Sequence, residues 1–207
     1  MIKRILEIDR ELLVFLNNLG SEFWDPVWLL ITDKLTFVPI FLFLIYRFLK
    51  DFGLKQTLKI LLSISILILF TDQFTNFIKA SFERLRPCSE PELFGLLRDI
   101  DIGCGKYGFF SAHAANSVAV TSFILFNFKS YRKSIISILL FLWVVLFSYS
   151  RIYLGKHYPL DIFFGLIFGI SAGFMFSRLF LNLISKRFCF ETDLFIKVFG
   201  GNSFCAY

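Results

Sequence analysis

The chain has 207 residues, of which 57% are hydrophobic and only 18% charged, and its formal net charge is +6. A soluble domain carries about a quarter charged residues, and a disordered one needs low hydrophobicity, so both classes are excluded. The basic excess contains no run long enough for a nucleic-acid patch; in so apolar a chain it marks cytoplasmic loops of a membrane protein.

In chain order, residues 5–19 form an amphipathic stretch, with apolar residues at Ile5, Leu6, Leu12, Leu13, Phe15, Leu16 and Leu19. It either lies in the membrane interface or belongs to a sixth crossing. No small-residue cleavage site follows a clean apolar core, so no removable signal peptide is expected. Residues 36–49 are strongly apolar but short, and borrowing 27–32 would bury Asp33 and Lys34 near the start of that span. Four further stretches, 54–80, 112–128, 134–150 and 160–184, meet the requirement of roughly 20 mostly apolar residues. The expected fold is all-α: a polytopic membrane helix bundle with five transmembrane helices and an N-terminal interfacial or sixth spanning helix. One membrane-embedded domain is expected over 1–207, divided into the N-terminal segment 1–22, the bundle 23–184 and a cytoplasmic tail 185–207.

The loops sort by charge. Arg47, Lys50, Lys55 and Lys59 form one set with Lys129, Arg132, Lys133, Arg178, Lys186 and Arg187, and Asp51 is the acid near them. Loops 81–111 and 151–160 mix acids and bases. The positive-inside rule places the first set in the cytoplasm and the second outside. An outside loop suits a disulfide between Cys88 and Cys104, the alternative being two free thiols, while Cys189 and Cys205 fall in the inward tail. No cysteine spacing resembles a zinc site.

The chemistry-bearing residues gather in the outward loops. Lys79 ends a helix whose polar residues Asp72, Thr75 and Asn76 recur at helical spacing, a costly face at membrane depth. Arg86, two turns on if the helix continues, joins Lys79 as a pair of cations suited to a phosphate dianion; the plainer alternative is two interfacial cations. Ser111 can cap the helix opened by Ala112 and His113, whose N–H groups then face outward as an anion site. Asn116, Ser117 and Thr121 continue that face inward. Ser150 and Arg151 end one span, and His157 and Pro159 precede the next. Asp161, four residues after His157, is placed to accept its Nδ1–H and leave Nε2 as a nucleophile. Three cations, a helix N-terminus and two imidazoles on one membrane face describe phosphoryl transfer.

These stretches resemble the signature of the type 2 phosphatidate phosphatase superfamily, the lipid phosphate phosphatases: K-x6-RP, then PSGH, then SR-x5-H-x3-D. Lys79 to Pro87 and Ser150 to Asp161 match at every defining position. The middle motif departs, with Phe110 in place of Pro and Ala112 in place of Gly. The resemblance implies a bundle of six-helix type and a metal-independent lipid phosphatase working through a phosphohistidine, with no cofactor. His157 would be the nucleophile, Asp161 its orienting partner and His113 the general acid. Lys79, Arg86, Arg151 and the amides of Ser111 and Ala112 would bind the phosphoryl oxygens. Its partners would be the bilayer and a lipid phosphate of the plasma (inner) membrane, met from the periplasm or cell exterior. Undecaprenyl pyrophosphate, phosphatidylglycerol phosphate, lipid A phosphate and phosphatidate all suit that site. The competing readings are a lipid phosphotransferase of the same superfamily and a non-catalytic membrane protein or transporter. The sequence leaves the oligomeric state open.

Overall fold

The computed structural model describes residues 1–98, 100 and 103–199, with side chains to Phe180. Six α-helices form it, and among the described residues there is no strand, only an isolated antiparallel bridge between Leu85 and Tyr107.

Helix α1 (Ile2–Asn18) buries a narrow stripe of Asp9, Leu13 and Asn17, one residue in four. Its other faces expose Ile2, Ile5, Ile8, Leu12 and Phe15. A helix that buries an acid and an amide while showing its apolar residues outward is built for a lipid surface. Helix α2 (Asp25–Thr32) starts with a proline in its first turn. It does not merge with the next span. Asp33 turns extended and accepts the Leu35 N–H at 3.0 Å, starting a short 3₁₀ turn over Lys34–Phe37.

Helix α3 (Val38–Phe82) joins the two apolar stretches expected at 36–49 and 54–80. They are separated by a break at Gly53, whose φ of 72° and ψ of 171° suit a residue without Cβ. Near the break, Asp51 accepts the Tyr131 hydroxyl at 2.7 Å and pairs with Arg47 at 3.1 Å. These bonds bring the basic segments 47–59 and 129–133 to one end of the bundle.

Helix α4 (Ala112–Asn127) is 16 residues long and runs through the middle, with ten side chains buried. Its N-terminus is capped by Ser111, whose hydroxyl accepts the Ala114 N–H at 3.5 Å. Helix α5 (Ile135–Tyr153) is capped by Ser134, and α6 (Pro159–Phe199) opens on proline with Asp161 in its first turn. The glycine ladder of α6 lies on α4. A Cβ at Gly165, Gly169 or Gly173 would stand 2.7, 2.3 or 2.5 Å from the carbonyl oxygens of Ser111, Ala115 and Ala119. Small residues every fourth position let the two backbones meet.

Among the described residues, three helical stretches are long and apolar enough to cross a membrane: Lys34–Phe82, Ile135–Tyr153 and Pro159–Phe180. Their outer faces expose Leu62, Leu69, Phe77, Phe141 and Phe163, a surface suited to lipid. The larger core is aromatic, with Phe37, Phe48, Phe123, Tyr131, Trp143 and Phe147, and it reaches His113 at Phe147. A smaller one packs Leu13 of α1 with Leu93, Ala114, Ile152, Tyr158 and Ile162. The tail expected from 185 begins within α6, and the calls on Cys189 and Cys205 lie outside the described side chains.

Candidate active site

Lys79 sits in the last turn of α3. The helix does not continue to Arg86. It ends at Phe82, and Glu83 takes the left-handed conformation, its N–H closing on the Lys79 carbonyl at 3.0 Å. Arg86 reaches the site through extended backbone, the conformation favoured before Pro87. Its N–H bonds the Lys106 carbonyl at 3.0 Å, and its Nε bonds the Tyr107 carbonyl at 2.9 Å. The loop is therefore fastened to itself, and the guanidinium is aimed by its own backbone partner.

The first and third motifs meet at Gly108. A Cβ there would lie 3.1 Å from Arg86 Cγ, 3.3 Å from Asp161 Oδ2 and 3.5 Å from His157 Nδ1. The middle motif is tied in through Ser111, whose N–H donates to the Asp161 carbonyl at 3.0 Å. Ala112 and His113 then form the first turn of α4, where N–H groups have no intrahelical partner. The His113 ring packs on Phe147 at 4.7 Å between centroids, and Arg151, His157, Lys34 and Lys79 are its electrostatic neighbours.

Arg151 is almost fully buried. Its Nη1 donates to the Thr32 hydroxyl at 2.7 Å, while its Nε has no protein partner. Its carbonyl accepts the N–H groups of Lys156 and His157 at 2.8 and 3.2 Å, folding the chain back at Gly155 (φ 60°). That turn seats His157 at 1% exposure. Burial, then Arg151, Arg86 and Lys79, push the imidazole well below its ordinary pKa, so it is neutral at pH 7. Burial and the same two arginines bring Lys156 down to about 8; its Nζ donates to the Gly103 carbonyl.

His157 Nδ1 and Asp161 Oδ2 are 3.5 Å apart, and Nδ1 makes no hydrogen bond. The direct bond expected from the spacing is not closed, and Asp161 has other partners. Its Oδ1 accepts from Arg84 at 2.7 Å, and its Oδ2 accepts the Tyr158 N–H at 3.0 Å. Arg84 also pairs with Asp9 of α1 at 2.6 Å. Sequence reading passed over Arg84, Asp9, Gly108, Thr32 and Lys156. Arg84 lay inside the first motif as an unassigned position. Asp9 and Asn17, flanking Leu13 at four-residue steps opposite the apolar side of α1, were the signal for a buried polar stripe.

Cys88 and Cys104 are bridged, with sulfurs 1.97 Å and Cα atoms 6.1 Å apart. The Cys88 N–H bonds the Gly155 carbonyl at 3.0 Å, so the bridged loop holds the turn that carries His157. Among the described residues, no group of three or more His, Cys, Asp or Glu side chains is placed to hold a metal ion.

A cavity of about 420 Å³ opens beneath His113. Asp72, Asn116 and Lys34 line its polar part, and Phe41, Leu44, Phe48, Ile64 and Trp143 its long apolar part, between α3, α4 and α5.

Cations fixed around a neutral imidazole suit a phosphoryl dianion, so the class that fold and site define together is a membrane phosphatase. Residues 56–185 match the PAP2 superfamily, and the chain belongs to that family. It is 38% identical over 179 residues to the Lipid A 4'-phosphatase of Bacteroides thetaiotaomicron, covering 85% of this chain and 78% of the relative. The fold is similar to that of Aquifex aeolicus LpxE, with a TM-score of 0.60 at 22% identity over 81% of this chain and 93% of that one. It is similar also to the PAP2-type phosphatidylglycerolphosphate phosphatase of Bacillus subtilis, with a TM-score of 0.62 at 18% identity over 85% and 86% of the two chains.

Proposed function

We propose that this protein hydrolyses a phosphate ester of a membrane lipid through a phosphohistidine on His157, without a metal. The observation that carries the reading is the meeting of the first and third motif stretches at Gly108, with the middle one joined to Asp161 through Ser111 and with Arg151, Arg86 and Lys79 as the charged neighbours of His157. Lys79, Arg86, Arg151 and the amides at Ser111 and Ala112 hold the phosphoryl oxygens. Nε2 of neutral His157 attacks phosphorus; the N–P bond forms as the P–O bond to the lipid breaks, and His113, which takes up a proton once the bound dianion offsets the surrounding cations, gives that proton to the leaving oxygen. Water then attacks the phosphohistidine, His113 takes its proton, and the N–P bond breaks to release inorganic phosphate. Asp161 steadies the positive imidazole, and its 3.5 Å approach to Nδ1 shortens as that charge develops.

The lipid character of the substrate is supported by the apolar cavity below His113, whose volume suits one hydrocarbon chain. Among lipid phosphates, a lipid A phosphomonoester is the reading the Bacteroides relative's name supports. Undecaprenyl pyrophosphate, phosphatidylglycerol phosphate and phosphatidate present the same group to the same cations. The single domain lies in the inner membrane with five or six crossings and its tail in the cytoplasm. The site faces outward, because the basic segments gather at the opposite end from His157.

The test is phosphate release in detergent, with EDTA present, over a panel of lipid mono- and pyrophosphates. Release from lipid A, inhibited by vanadate and abolished in a folded His157→Ala variant, is the expected result. Loss of release on chelation, restored by magnesium, would overturn the metal-free mechanism, and release by His157→Ala would overturn the phosphohistidine.

A further inference from the structure

We propose that Asp9 of the N-terminal helix is a positioning residue for Asp161, acting through Arg84, so that α1 completes the site rather than only resting on the membrane. The inference depends on His157 and Asp161 acting as described above. Asp9 is 3% exposed on a helix whose other faces show mostly apolar residues outward. A carboxylate buried there is costly unless both oxygens are used, and both are. Oδ2 binds Arg84 Nη2 at 2.6 Å, and Oδ1 accepts the Leu160 N–H at 2.8 Å. Each contact ends next to Asp161: Leu160 precedes it, and Arg84 binds it through Nη1 at 2.7 Å. The Arg84 guanidinium also lies over the Tyr158 ring, 4.0 Å from its centroid.

The consequence follows from the shape of guanidinium. Its two outer nitrogens can grip one carboxylate bidentately. Here they are divided between Asp9 and Asp161. Asp9 thereby restricts Arg84 to Oδ1 of Asp161, and Oδ2 is left facing His157. Without the Asp9 charge, Arg84 closes on both oxygens of Asp161 and draws its charge away from the imidazole. The loss falls on the step in which His157 becomes positive, not on the cations that bind phosphate. It therefore appears in kcat and not in KM.

The experiment compares wild type with Asp9→Asn, Arg84→Gln and the double variant, together with Asn17→Ala. Asn17 is buried on the same face of α1 but donates to the Tyr153 carbonyl, away from Arg84. Asp9→Asn is expected to lower kcat per folded molecule by on the order of 10-fold, the size of an effect passed through an intermediate side chain. KM stays as in wild type, vanadate inhibition weakens in step with kcat because vanadate mimics the five-coordinate phosphoryl group, and the double variant loses no more than Arg84→Gln alone. Asn17→Ala lowers the melting temperature and leaves kcat unchanged. In ¹⁵N-histidine-labelled protein, Asp9→Asn shifts the His157 Nδ1 resonance and not that of His113, a readout independent of turnover. Asp9→Glu, which keeps the charge, replaces Asp9→Asn if that variant does not fold, and retains more kcat than Arg84→Gln. Wild-type kcat in Asp9→Asn, a change in KM alone, or an unshifted His157 resonance overturns the inference. Lipid phosphate release by His157→Ala would instead overturn the proposed function.

Discussion

His113 and His157 occupy different surroundings, and each role can be tested by itself. His157 is enclosed by backbone and cations, whereas His113 packs on Phe147 and lines the apolar cavity. His113→Ala is expected to slow hydrolysis of a lipid phosphate by about 10²–10⁴-fold, the usual worth of a general acid. The defect should shrink with p-nitrophenyl phosphate, whose leaving group needs little protonation; equal defects would remove His113 from that role. Lys156 gives a pH signature. Its pKa, brought down to about 8 from 10.5 by burial and by Arg151 and Arg86, means that its charge is present below pH 8 and lost as pH rises through it. Arg151 and Arg86 then have one cationic neighbour fewer, and KM for the lipid phosphate is expected to climb above pH 8 as the positive field around them weakens. In Lys156→Met, KM should be flat over that interval.

Two contacts between elements transmit structure to the site. One is the glycine ladder of α6 on α4. A side chain at Gly169 would stand 2.3 Å from the Ala115 carbonyl, and backbone on both sides cannot yield. Gly169→Leu is expected to cost about 1–3 kcal/mol or more by overpacking. It should lower activity as well, because the same interface joins Ser111 to Asp161. A thermal melt with an activity assay in the same detergent checks both, and unchanged stability would place the ladder against lipid instead. The other contact is the bridged loop. Closing about 15 residues stabilises by roughly 3 kcal/mol in the chain-entropy model. Cys88 also anchors Gly155, two residues before His157. Reduction is therefore expected to lower activity before the helices unfold, as read by activity and circular dichroism over a dithiothreitol series.

For the whole molecule, the separation of charge along the bundle predicts which lipid leaflet the site meets. The basic segments around Asp51 and Tyr131 lie at one end, and His157 with the bridged loop at the other. Thiol labelling of spheroplasts should reach Cys88 and Cys104 from outside only after reduction. Labelling of Cys189 or Cys205 from outside would invert the arrangement and turn the site to the cytoplasm.

The sequence by itself determined the solvent and the helical class, and it singled out the candidate site residues that the fold brings together. Long apolar runs can satisfy their backbone in lipid only as helices or closed barrels, and polar residues at membrane depth are too costly to be scattered. Lys79, Arg86, His113, Arg151, His157 and Asp161 were legible because each belongs to a spaced local pattern. Two points that the sequence leaves open are decided by local backbone: Glu83 takes a left-handed turn, so the helix does not continue to Arg86, and Asp33 turns extended, so α2 does not merge with α3. Tertiary structure alone decided what surrounds these residues. Asp9 reaches Arg84 across 75 residues, Arg151 reaches Thr32 across 119, and Gly108 is the point where Arg86, His157 and Asp161 converge. None of these contacts has a periodicity or a short spacing to announce it. A buried charge takes whichever partner the packed helices bring within reach, and that choice exists only once α1, α3, α4 and α6 have met.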